Sequence, residues 1–215
     1  MGWGMAVLYV GQQTWEGLPE RAPAPDSARP PGDTLRPETV AQRSITCSRT
    51  LLSDAQGRAE ADDAIGKTAA DGFASGTHIF LDVERMTAVP AAMREYYRAW
   101  VGQVLADGRF RPAIYAHQRN AAEIYADVRA VFDAAGVRDE PSFWITGPSS
   151  SFTLTSAASD VGFRFARVWQ GMLNTAETWN GTTLRIDANV ADSPSPSTAR
   201  PGLANANQSA PARTP

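Results

Sequence analysis

Two carboxylates stand two residues apart at the end of an apolar run: His78-Ile-Phe-Leu81 leads into Asp82, Val83 and Glu84. On a strand, residues spaced by two point to the same side. Carboxylates so placed repel when both are ionised, so one of the two pKa values rises. A raised carboxyl is what general-acid catalysis needs, and glycoside hydrolysis is the commonest chemistry of such pairs. The bland alternative is a solvated strand end, with Asp82 accepting backbone hydrogen bonds and Glu84 paired to Arg85.

Asp187 and Asn189 repeat the same spacing after Leu184-Arg-Ile186. Asp187 could orient a sugar hydroxyl, a water or Glu84, or simply end the strand in an Asx turn. Trp169 and Gln170 together look like a sugar-facing platform of one aromatic and one amide. Tyr115 and Trp144 extend it, since concave binding sites combine aromatic walls with a few polar groups. Each aromatic alone reads equally well as core. Gln12 and Gln13 read as polar lining, because an amide cannot exchange a proton usefully. His117 reads as a hydrogen-bonded loop histidine.

Other chemistries find less support. Asp82, Glu84 and Asp187 could gather around a hard cation, but no calcium-loop spacing and no H-E-x-x-H is present, so no metal is expected. Gly147-Pro-Ser-Ser150 is not a nucleophile elbow. Neither a G-x-G-x-x-G after the first strand nor a P-loop occurs, and no cofactor is implied. Asn180-Gly181-Thr182 matches a glycosylation acceptor and serves equally as a hairpin turn.

These residues need elements to carry them. The apolar run Ala6–Val10 predicts a strand. Asp62–Phe73, alanine-rich with a glycine stop near Gly76, predicts a helix. His78–Val83 predicts a buried strand. From Pro90 to Ala106, Met93, Tyr96, Tyr97, Trp100, Val101, Val104 and Leu105 fall on one helical face, and Gly108 ends it. Pro112–Ala116 predicts a strand. Asn120 is expected to cap a helix with a stripe of Ile124, Val128, Val131, Phe132 and Ala135. Ser142–Thr146, Phe165–Trp169 and Leu184–Ile186 predict strands, with one poor helical turn at Ser156–Asp160.

The order is β-α-β-α-β-α-β-β-β. Strands joined by helical crossovers predict a parallel sheet with helices outside it, in an α/β fold. The strand spacing suits a (β/α) barrel, whose active sites gather at the strand C-termini. Six strands are counted where a closed barrel needs eight, so Val7–Val10 is expected at an open edge able to associate with another copy.

The 215 residues carry 20 basic and 23 acidic side chains, for a net charge of -3, with 43% hydrophobic residues. That balance predicts a folded domain with no electrostatic footprint for nucleic acid. One cysteine, Cys47, excludes an internal disulfide or a thiolate cluster. No apolar run is long enough to span a membrane. The N-terminus lacks a basic region and a cleavage site, so it reads as a strand and not as a signal peptide. The location is expected to be secreted or envelope-bound if a leader precedes this start, and cytoplasmic otherwise. Pro19–Pro37 holds six prolines in nineteen residues, and a surface insertion is expected at about 15–59 within a domain spanning 1–190. Residues 191–215, rich in Pro, Ser and Ala, are expected to form a disordered tail.

The segments LYVGQQ, DDAIGKTAADGFASGTHIFLDVE, PAIYAHQ, VWQG and LRIDANVAD resemble a bacterial glycoside-hydrolase-like domain related to the family 25 lysozyme-like barrels. The likeness runs from about Gly2 to Asp192, outside the proline-rich stretch. It implies a TIM-like (β/α) barrel with a groove at the strand C-termini. It implies that Glu84 is the general acid, Asp82 its acidic neighbour and Asp187 the terminal-strand aspartate. The substrate class implied is a β-linked glycan, first of all peptidoglycan. The family domain begins with a strand ending in aspartate and a further strand-helix unit. This sequence enters at what resembles the third strand, so an incomplete barrel and a chain belonging to a larger protein are expected. The missing aspartate motivates a competing class, a non-catalytic or vestigial carbohydrate-binding domain using Trp169, Gln170, Trp144, Tyr115 and Asp187.

Overall fold

The computed structural model describes residues 5–14 and 51–198. The proline-rich stretch 19–37, Cys47 and the chain beyond 198 lie outside them. Six strands form a single sheet in the order β1 (Val7–Val10), β2 (His78–Val83), β3 (Arg111–His117), β4 (Ser142–Thr146), β5 (Ala166–Trp179) and β6 (Thr182–Ala191). The helices α1 (Asp54–Ala70), α2 (Ala91–Asp107) and α3 (Gln118–Ala134) are the crossovers between β1 and β4. Neighbours from β1 through β5 pair in parallel, as the helical crossovers require. The last pair, β5 and β6, is antiparallel. It is joined by a tight turn in which Asn180 (φ 49°) and Gly181 (φ 80°) both take the left-handed region, the requirement of a type I′ hairpin.

The helices cover one face of the sheet. Ile79, Leu81, Ile114, Phe143 and Ile145 meet Met93, Tyr96, Tyr97, Trp100, Val101 and Val104 of α2 in the main core. The predicted α2 stripe is thus the buried face, and Gly108 closes the helix at φ 76°. On α3, Ile124, Val128 and Phe132 are buried, Val131 is half-buried, and Ala135 is exposed just past the helix end. Helices α1 and α2 approach closely at Gly57, where a Cβ would lie 2.3 Å from the Tyr96 carbonyl oxygen.

Several boundaries differ from expectation. Helix α1 starts at Asp54, eight residues before the predicted start, because Ser53 caps it through a bond from Gln56 N (3.2 Å). The cap of α3 is His117, whose Nδ1 accepts from Arg119 N (3.0 Å). Asn120 instead lies buried inside the helix and accepts from Met86 N (3.0 Å). The helical turn near 156–160 is a short 3-10 segment at Ala158–Val161. Strands β5 and β6 are far longer than the predicted Phe165–Trp169 and Leu184–Ile186, because each hydrogen-bonds the other beyond the end of β4.

The sheet is curled but not closed. Among the described residues, strand β1 pairs with β2 alone, and its Leu8 and Val10 are 42% and 69% exposed on the concave side. The chain leaving β6 runs back to the opposite edge, where Ser197 Oγ accepts from Val7 N (2.7 Å) and Ser197 O accepts from His78 N (2.8 Å). Residues just past 191 are therefore fixed against β1, and Ser197 is buried. An α/β fold with an open (β/α) barrel of six strands results. Among the described residues, no helix is long and apolar enough to cross a membrane.

Candidate functional site

Register assigns the concave face. Val10 pairs with Asp82, Asp82 with Tyr115, and Tyr115 with Trp144. One layer nearer the strand C-termini, His117 pairs with Thr146, Thr146 with Gln170, and Gln170 with Asn189. Alternation places these side chains away from the helices. The concave surface thus carries Asp82, Tyr115, Trp144, Gln170 and Asn189 together, with Glu84 one residue beyond the end of β2.

Asp82 is only 9% exposed, and its Oδ1 has no hydrogen-bond partner among the described residues. Burial, and then the charge of Glu84, push its carboxyl up to about 6. Glu84 is exposed. The rise at Asp82 comes first from burial and only second from the repulsion that its spacing from Glu84 predicts. Burial separates the two environments, as only one carboxylate lies within the strand.

Gln13 fixes this strand end. Its side-chain amide donates to Asp82 O (2.8 Å) and accepts from Glu84 N (3.0 Å), continuing the parallel ladder after β1 has ended. Gln12 turns the other way. Its Nε2 donates to Glu60 Oε1 (2.6 Å), which also accepts from Gln56 (2.8 Å), while the Tyr96 hydroxyl donates to Glu60 Oε2. Gln12 therefore fastens β1 to α1 and does not line the concave face. The fit is close, since a Cβ on Gly11 would lie 2.1 Å from the Tyr96 hydroxyl.

A hydrogen-bond chain crosses the sheet from Tyr115. Its hydroxyl donates to Gln170 Oε1 (2.7 Å), and Gln170 Nε2 donates to Asp187 Oδ2 (2.9 Å). Asp187 Oδ1 accepts from Asn174 N (2.7 Å). Burial, foremost, pushes the Tyr115 hydroxyl up to about 12, which keeps it a donor. Trp144 Nε1 donates to Asn189 Oδ1 (2.9 Å), and its ring meets Phe80 and Tyr115 edge-on at 5.9 and 5.4 Å. Burial, then Arg85 and Arg119, lower the His117 pKa, in keeping with its capping role.

Asp187 reaches this site by a different route from the one expected. It sits within β6 and not at its end, and β6 runs opposite to the other strands. It joins the site because the β5–β6 pair continues past Thr146, the last residue of β4. Two register shifts add residues to β5 between Gln170 and Thr175, and a bulge of this kind re-aims side chains. Asn174 takes φ 58° there and presents its N–H to Asp187. Sequence inspection passed over Asn174, whose only signal was its closeness to Gln170, and read Gln13 as polar lining without its role in pinning the strand end.

Trp169 does not form a platform with Gln170. Adjacent residues on a strand face opposite sides, and Trp169 is 2% exposed, packed edge-on to Phe152 at 4.9 Å. Its Nε1 donates to Gly147 O (2.8 Å). Trp144 and Tyr115 remain as the partly exposed aromatics of the concave side, with Phe80 fully buried beneath Trp144.

A cavity of about 600 Å³ lies between the two edges of the sheet, lined by Met5, Ala6, Trp144, Val168, Asn189 and Val190 among others. Asp82 and Glu84 do not line it, so the carboxylates belong to the open surface beside it. Among the described residues no three His, Cys, Asp or Glu side chains gather to hold a metal ion. Asp82, Glu84 and Asp187 thus do not form the cation site weighed from the sequence.

The fold is an open α/β barrel with Asp82 and Glu84 at the end of β2. Residues 1–191 match the model of the Rv2525c-like, glycoside hydrolase-like domain, and the chain belongs to that family. Its fold is similar to that of an uncharacterized B. stearothermophilus protein, with 22% identity over 65% of this chain and 64% of that one and a TM-score of 0.47. It is also similar to the Clostridium perfringens spore cortex lytic enzyme SleM, with 16% identity over 65% of this chain and 46% of that one and a TM-score of 0.41. The chain thus spans less than two thirds of the length of either. No curated protein matches it.

Proposed function

We propose that this protein is a glycosidase of bacterial wall glycan in which Asp82 and Glu84 act as one proton-handling pair. The observation that carries the reading is the buried Asp82 carboxyl, whose Oδ1 has no hydrogen-bond partner among the described residues and which is raised to about 6 near Glu84. A carboxyl that keeps its proton near neutral pH can serve acid catalysis. Glu84, exposed past the strand end, is the member placed to meet the glycosidic oxygen. Asp82, buried two residues before it and raised to about 6, supplies the carboxyl that keeps its proton near neutral pH.

In the reaction, the bond from the anomeric carbon to the leaving oxygen breaks as the pair gives that oxygen a proton. Water supplies hydroxide to the anomeric carbon and returns a proton to the pair. Asp187, held by Gln170 and Asn174, orients that water or the substrate's N-acetyl group. Trp144 and Tyr115 offer aromatic surface to a sugar ring. Membership of a glycoside hydrolase-like family supports this chemistry.

The test is release of reducing ends from purified peptidoglycan and from chitin-type oligomers, by wild type and Glu84→Gln side by side. Wild-type release that falls about 100-fold or more in the variant is expected, the scale of a lost general acid. Equal turnover by both removes the assignment. Saturable glycan binding without product, lost in Trp144→Ala and kept in Glu84→Gln, is the result that a carbohydrate-binding domain gives.

A further inference from the structure

The β5–β6 pair does not stop where the rest of the sheet stops. From Met172 to Ala188 it extends as a two-stranded arm, exposed everywhere but at Thr175, Ile186 and Ala188, which are partly buried. A bare ribbon of this kind gains little stability by itself. Its two faces also differ in chemistry. Leu184 and Trp179, 51% and 50% exposed, lie on one face with Ile186. Counting back by twos from Asn189, the other face carries Asp187, Arg185 and Thr183. Ala176 and Thr178 stand opposite Arg185 and Thr183 on β5, and the two threonine hydroxyls bond each other at 2.9 Å. That face is polar or small throughout and continues the concave surface, because Asn189 pairs with Gln170.

The link to the carboxylate site is physical. Tyr115, Gln170, Asp187 and Asn174 form one hydrogen-bonded chain, and Arg185 Nη1 donates to Asn174 O (3.0 Å) at its far end. That bond anchors the guanidinium while leaving most of its five donors unused. No carboxylate lies within ion-pair distance of Arg185 among the described residues. Four residues separate Arg185 from Asn189, about 13 Å along a strand. This is farther than one sugar ring reaches and suits a substituent carried on the glycan.

We propose that the polar face of the arm is a second binding region, in which Arg185 takes a carboxylate of the peptide borne by wall glycan. The proposal rests on the glycan reading above and narrows its substrate to peptide-bearing strands. Peptidoglycan carries acidic peptides on alternate sugars, whereas chitin-type glycan carries none. A guanidinium recognises a carboxylate bidentately, and the bond is stronger than one between neutral groups. Arg185 then sets specificity without touching the reacting bond.

The test measures binding of three soluble probes to the full chain: peptide-bearing glycan strands, the same strands stripped of peptide by an amidase, and chitin oligomers. Wild type is expected to bind the peptide-bearing strands about fivefold or more tightly than the stripped ones. Arg185→Ala removes that preference and Arg185→Glu inverts it, with affinity for stripped strands unchanged in both. Circular dichroism checks that the variants keep the fold. Equal affinity of wild type for peptide-bearing and stripped strands overturns the proposal, as does an Arg185→Ala protein that keeps the preference. Failure of wild type to bind any of the three overturns the glycan reading itself.

Discussion

Asp82→Asn should make the protein more stable and less active at the same time. The carboxyl of Asp82 is raised from 3.8 to about 6, first by burial and then by Glu84. A carboxyl whose pKa is higher folded than unfolded binds its proton more tightly in the folded state. Folding stability is then greatest below the unfolded value and falls as pH rises through the folded one. The difference between 3.8 and about 6 amounts to about 3 kcal/mol at pH 8. The open face above Asp82 admits some water, which trims this to about 1.5–3 kcal/mol. Asparagine keeps the shape and cannot ionise. Urea denaturation followed by tryptophan fluorescence at pH 4, 6 and 8 reads the effect. The variant should exceed wild type by about 1.5–3 kcal/mol at pH 8, and by less than about 0.5 kcal/mol at pH 4. A variant no more stable than wild type at pH 8, or a gap that does not change with pH, refutes the reasoning.

The two tryptophans should separate cleanly. Trp169→Ala is expected to cost about 3–5 kcal/mol of stability, as for other buried aromatics, read by chemical denaturation. Trp144→Ala should cost less and weaken glycan binding, read by titration. Gly171→Ala should destabilise by about 1–3 kcal/mol, because its Cβ would lie 1.8 Å from the Phe152 ring; thermal melting checks it. Ending the chain after Asp192 removes Ser195 and Ser197, so amide exchange at Val7 and His78 should speed markedly; hydrogen exchange by NMR reads those two positions.

Much of the architecture was legible in the residues. The α2 stripe, the five parallel strands and the Asn180-Gly181 turn all follow from local periodicity and turn chemistry, and each stands in the structure. The start of α1 was hidden because Asp54–Glu60 has too few large apolar residues to show a helical period, and burial there falls on Gly57 and Glu60. The boundary of the tail was hidden for a related reason. Ser197 has no apolar side chain to announce burial, and its partners, Val7 and His78, are more than a hundred residues away.

For the site, the sequence by itself determined the residue types and the spacing of Asp82 and Glu84, because alternation along a strand is a local property. Alternation also sets Trp169 and Gln170 on opposite faces, which the reading of the two as one platform overlooked, and burial shows that Trp169 is the one turned away from the site. Tertiary structure decided the rest. It sent Gln12 to Glu60 across the helices and left Gln13 to pin the strand end. It reversed β6 and yet brought Asp187 to Gln170 through the bulged extension of β5. It buried Asp82 and so raised its carboxyl. Hydrogen-bond partners, strand direction and desolvation depend on what packs around a residue, and that neighbourhood is assembled from parts of the chain that sequence spacing does not relate.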